Sequence, residues 1–200
     1  MQRMIGFLTV VGIAALAGAG VRVDLIVYEN ADNADVSILD LWVNLVDGGT
    51  YVDFTFHNDS TGSATVANVY FEANSLMSGG SIVGQSAGVS FTDGGSPPNP
   101  AQPGFLFGGA WGGNLYSASA NPPPSMNGID PGETLTVRFT LVGSFADVLA
   151  AVQPNAIGGL RIAQHVINLG EFSVWTINTP SPGSIALLGF GAACAVRRRR

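Results

Sequence analysis

The chain has 200 residues, 46% hydrophobic and 11% charged, enough apolar material for a packed core, so disorder is excluded as its main state. Its 27 glycines and 11 prolines exclude a helical bundle and favour a loop-rich β protein. Residues 23–178 hold two arginines against all 14 acids, a net charge of −12, and such a field excludes nucleic acid as a partner by repelling its phosphates.

In chain order, Arg3 precedes an apolar run over residues 5–16 and two small-x-small patterns, Ala15-Leu16-Ala17 and Ala17-Gly18-Ala19. This pattern predicts a secretory signal peptide over residues 1–19, because the run falls short of the roughly 20 residues a spanning helix needs. Residues 23–28 predict a first strand. Residues 37–46 and 50–58 predict a hairpin about Asp47-Gly48-Gly49, since Val52, Phe54 and Phe56 alternate with Asp53, Thr55 and His57. Strands follow at residues 65–71 and 88–92, then Pro/Gly-rich loops at 93–103 and 121–124. Over residues 134–142, Leu135, Val137, Phe139 and Leu141 alternate with Thr136, Arg138 and Thr140 and should face the core. Ser144 and Asp147 predict a capping box for one short helix ended by Pro154, and residues 160–167 and 171–177 predict the last strands. About eight strands separated by turn residues predict an all-β fold, a single antiparallel β-sandwich of jelly-roll type with one short helix, over residues 20–178.

The remaining residues, 179–200, read as an address. Thr179-Pro180-Ser181-Pro182 precedes an apolar run over residues 183–196, which stops at Arg197, Arg198, Arg199 and Arg200. As a helix of about 1.5 Å per residue the run falls short of a roughly 30 Å hydrocarbon core, so it spans with help from snorkelling arginines. It has no polar face, which excludes an amphipathic helix lying on the domain. The arginine cluster marks the cytoplasmic side and places the acidic domain outside. A GPI signal is excluded because such tails end apolar. The single cysteine, Cys194, lies in this tail, so no disulfide supports the domain.

A proline motif, a short apolar helix and a terminal arginine cluster on an exported Gly-rich β protein resemble the PEP-CTERM family of bacterial exosortase-sorted proteins. The matching residues are Pro180, Pro182, the run 183–196 and Arg197 to Arg200, with Ser181 where the family usually has glutamate. The resemblance implies an exosortase-like sorting enzyme and the membrane as partners. It also implies a mature domain at the cell envelope or surface, anchored at least transiently or released after processing.

Site chemistry is sparse. Only His57 and His165 could serve as a catalytic base, and no Gly-x-Ser-x-Gly elbow is present, so no catalytic residue is expected. Residues 108–113 lack the lysine of a phosphate-binding loop, and no cofactor motif is found. Asp32, Asp35 and Asp130 are weak calcium candidates, lying in the turns Glu29 to Asp35 and Asn127 to Glu133, where Asp and Asn also serve backbone geometry. Trp111 and Tyr116, in a glycine-rich loop, are candidates for stacking on a sugar. The expected function is a non-enzymatic envelope or extracellular-matrix protein; the alternative is a carbohydrate-binding module for surface polysaccharide that uses those two rings.

Overall fold

The computed structural model describes residues 20–101, 110–152 and 159–179. The expected signal peptide and the apolar tail with its arginines lie outside the described residues. Among the described residues ten strands and two short helices follow one another: β1 (Val21–Glu29), β2 (Leu41–Asp47), β3 (Tyr51–Asn58), β4 (Thr65–Glu72), β5 (Met77–Gln85), β6 (Phe91–Asp93), β7 (Asn114–Ala120), α1 (Pro124–Asn127), β8 (Thr134–Leu141), α2 (Phe145–Ala151), β9 (Ile162–Leu169) and β10 (Phe172–Thr179). Among the described residues no helix is long and apolar enough to cross a membrane.

All ten strands belong to one antiparallel sheet in the order β5-β8-β3-β2-β1-β10-β9-β4-β7-β6. The β2–β3 hairpin forms as expected about residues 48–50, with Val43 opposite Phe56 and Leu45 opposite Phe54. The pleat sends Val52, Phe54 and Phe56 of β3 and Leu135, Val137 and Phe139 of β8 into one core, each at most 1% exposed; Leu141 is half-buried against the same cluster. The sheet curls strongly: the Phe71 ring of β4 lies 5.0 Å from Phe54 and 4.6 Å from Phe139, although β4 stands far from β3 and β8 in the strand order. Its two edges nearly meet. The Phe91 backbone N–H at one edge donates to Gln85 Oε1 at the other (2.6 Å), and Gly80 of β5 leaves room for the Tyr116 ring, which a Cβ there would strike.

The sequence reading is corrected at five elements. β5 was not expected, because Gly79, Gly80 and Gly84 interrupt its alternation. β7 takes in Tyr116, expected in a loop, because residues 114–120 complete the ladder between β4 and β6. β6 is only three residues long, and β2 starts at Leu41 rather than at 37 because residues 37–40 form a turn. A second helix, α1, occupies Pro124–Asn127, where proline at the first turn is preset for helix and Gly128 ends it. The helix expected after Ser144 forms with both halves of its capping box and buries Val148.

The two ends of the domain lie side by side. Asp24 of β1 is opposite Thr179 of β10, so the chain enters at Val21 and leaves at Thr179 from the same end of adjacent strands.

Candidate functional site

Tyr70 and Phe71 are consecutive on β4 and therefore face opposite sides of the sheet. Tyr116 packs with Phe71 and Phe139 on the inner side, and its hydroxyl donates to Asp93. Burial, with that carboxylate beside it, pushes the phenol well above its ordinary pKa. Trp111 packs with Tyr70, Ala163 and Trp175 on the outer side, is 9% exposed, and donates from Nε1 to Asn114 Oδ1 (2.8 Å). The two rings proposed to stack on a sugar thus sit on opposite faces of the sheet, Trp111 buried and Tyr116 half-buried against the inner core. Trp42 is also occupied. His57 stacks on it at 3.7 Å, leaving no room on that side for the Arg22 guanidinium, which lies 4.6 Å from the ring and therefore covers the other.

The histidines lie apart. His57 is held against Trp42 on β3, whereas His165 of β9 stacks on Trp175 at 4.5 Å with Nδ1 3.3 Å from Asn68 Oδ1. Burial lowers the pKa of both. In the first acidic turn Asp32 and Asp35 are exposed, and the Asp35 carboxylate accepts from the backbone and hydroxyl of Ser37, which hold it below its ordinary pKa. Among the described residues no three His, Cys, Asp or Glu side chains are grouped to hold a metal ion.

Sequence reasoning missed a buried ion pair. Arg161 Nε donates to Glu72 Oε2 and its Nη2 to Glu72 Oε1, and both side chains are 9% exposed. Nη2 also reaches the Ala110 carbonyl (2.7 Å), and Glu72 Oε1 accepts from the Gly112 backbone (2.6 Å), so the pair fastens residues 110–112 against the outer face. Tyr70, whose hydroxyl burial pushes up to about 12, donates to the Pro97 carbonyl, and Tyr28 donates to that of Ala101. Together these contacts cover the aromatic outer face with loop. The available signal was Arg161 itself, an arginine next to the start of β9 in a chain poor in cations; its partner, 89 residues away, leaves no mark in the sequence.

A further candidate is a cleft of about 430 Å³ where the β3–β4 loop, α1 with the segment after it and the end of β9 converge. Its walls carry Thr61, Ser63, Thr65, Ser125, Asp130 and Asn168. Asn58, fully buried, ties the walls together: Nδ2 donates to the Ala64 and Ile129 carbonyls, both at 2.8 Å, and Oδ1 accepts from Ser60 N. A paired bridge between Val66 and Ile129 reinforces the junction. Inside, the buried Thr65 hydroxyl donates to Asp130 Oδ1 and accepts from Asn168 Nδ2 (2.8 Å), fixing both side chains. Asn168 has φ of +65°, which turns the chain at the end of β9. Asp130, a calcium candidate on sequence grounds, is therefore placed in a hydroxyl-lined cleft. The sequence trace of this site is the hydroxyl-rich run Ser60-Thr61-Gly62-Ser63-Ala64-Thr65; the partners from residues 125–130 and 168 are supplied by the fold.

Comparison with protein-family models, with curated proteins and with solved structures finds no match for this chain.

Proposed function

We propose that the protein is an exported, non-enzymatic component of the cell envelope or extracellular matrix, sorted or anchored through residues 179–200 by a membrane-bound exosortase-like enzyme. One observation carries this reading: an acidic β domain is bracketed by a three-part export pattern at one end and by Pro180, Pro182, an apolar run and four arginines at the other. The domain's geometry is compatible with it, since Val21 and Thr179 leave by the same end and one tether there turns the rest of the domain away from the membrane. We also read the curled sheet as a flattened sandwich of jelly-roll type. The contact of Phe54 with Phe71 across two distant parts of the sheet supports this layering.

N-terminal sequencing of exported protein tests the first half, with a mature start expected between Gly18 and Val21 and an intact Met1 refuting it. Replacing Arg197 to Arg200 by serine tests the second. Each arginine costs about 2.5 to 3.5 kcal/mol at the centre of a spanning helix, so their loss should release the protein into the medium. Unchanged fractionation would refute the sorting role.

A further inference from the structure

The cleft around Asp130 is an open depression whose polar groups are already held in place. Asn58 fixes its two walls and Thr65 fixes Asp130 and Asn168, all through hydrogen bonds to fully or almost fully buried atoms. A site whose groups are oriented before binding spends little free energy on ordering them. Once these bonds are counted, the groups left for a ligand are Asp130 Oδ2, Asn168 Oδ1 and the hydroxyls of Thr61, Ser63 and Ser125.

The chemistry of this set selects its ligand. No cationic side chain lines the cleft and a carboxylate does, so phosphate, sulfate and acidic glycans are disfavoured, as they are by the domain's net charge. One carboxylate among neutral oxygens is a poor match for calcium, which gathers six to eight oxygen ligands, typically with several carboxylates. The only apolar side chains present are Ala64 and Pro131, too few to hold a hydrophobic group. What remains is a small, uncharged molecule rich in hydroxyl donors. We propose that this cleft binds a neutral sugar, with Asp130 Oδ2 and Asn168 Oδ1 accepting from its ring hydroxyls and Thr61, Ser63 and Ser125 completing the contacts. The inference rests on the cleft and is independent of the sorting role of the tail.

The hydrogen bond to the carboxylate is charge-assisted and contributes more than the neutral ones, whereas sugar hydroxyls must give up water to make any of them. Without an aromatic platform in the cleft, the expected dissociation constant is on the order of a millimolar. The cleft is open at its mouth, so the sugar can be free or a residue of a polysaccharide chain.

The test is saturation-transfer NMR on the full chain in a zwitterionic detergent. The probes are glucose, galactose, mannose and N-acetylglucosamine, each also as a short oligosaccharide. At least one should receive saturation from the protein. Asp130→Ala should weaken that sugar by about tenfold or more. Ser63→Met, an exposed substitution that adds bulk to the cleft without removing a buried hydrogen bond, should abolish the signal and remains decisive if Asp130→Ala does not fold. Val142→Ala, at an exposed position outside the cleft, should leave binding unchanged. Tighter binding of the oligosaccharide identifies a polysaccharide as the source, and equal binding a free sugar. Absence of signal from every neutral sugar, or an undiminished signal in Ser63→Met, would overturn the proposal. Binding of glucosamine or calcium without any neutral sugar would overturn the ligand class.

Discussion

Replacing Arg161 by methionine should be among the most damaging single changes in the domain, although it removes no apolar surface. Arg161 neutralises Glu72 through two hydrogen bonds, and Glu72 is 9% exposed on its side chain. With the guanidinium gone, the carboxylate keeps only the bond from Gly112 N, and the Ala110 carbonyl loses its donor. Removing one member of a buried pair costs about 3 to 5 kcal/mol because the other charge is left uncompensated, a large share of a typical total stability of about 5 to 15 kcal/mol. Urea unfolding followed by tryptophan fluorescence measures it. With a slope of about 2 kcal/mol per molar, the midpoint should fall by roughly 1.5 to 2.5 M. The control is Glu72→Leu combined with Arg161→Met, which removes both charges and should recover most of the loss, since a well-packed apolar replacement is often neutral. A midpoint almost unchanged by Arg161→Met, or a double variant as unstable as the sum of both single ones, would refute the view that electrostatic compensation holds this loop to the sheet.

Phe139→Ala should cost about 3 to 5 kcal/mol, because this ring is 1% exposed and touches Phe54, Phe71 and Tyr116 where the curled sheet closes; a negligible shift in a thermal melt would mean the core is assigned to the wrong face. Gly128→Ala should cost about 1 to 3 kcal/mol, since the new Cβ would lie 2.7 Å from the Val66 carbonyl and 2.9 Å from that of Pro124, backbone atoms that cannot turn aside; an unaltered melt would show that the β4 bridge to Ile129 gives way freely. Burial lowers the pKa of His57 and His165 in the folded state, so the unfolded chain protonates first. Their contribution is full above about pH 6.5 and is lost as pH falls through that value towards the folded one, and His165→Gln should flatten part of the slope of melting temperature between about pH 7.5 and about pH 5.5. An unchanged slope in that variant would remove His165 from the account.

Period-two alternation was enough to show strands and to say which way they face. Val52, Phe54, Phe56, Leu135, Val137 and Phe139 all lie in the core they were expected to share, and Ser144 with Asp147 caps a helix as the local chemistry requires. These features are legible because they depend on residues a few positions apart. β5 and β7 were not, since glycine, serine and alanine carry little strand preference of their own and become strands only because neighbouring strands offer a ladder. The same limit governs the sites. The chain alone carries the basic and apolar start, the proline and arginine tail, the acidic balance and only two histidines. It could not reveal that Arg161 would meet Glu72, that Trp111 and Tyr116 would fall on opposite faces, or that Asn58 and Thr65 would organise a cleft with residues 125–130 and 168. The ion pair and the cleft join residues tens of positions apart, and their geometry follows from strand order and sheet curvature, which no local pattern encodes.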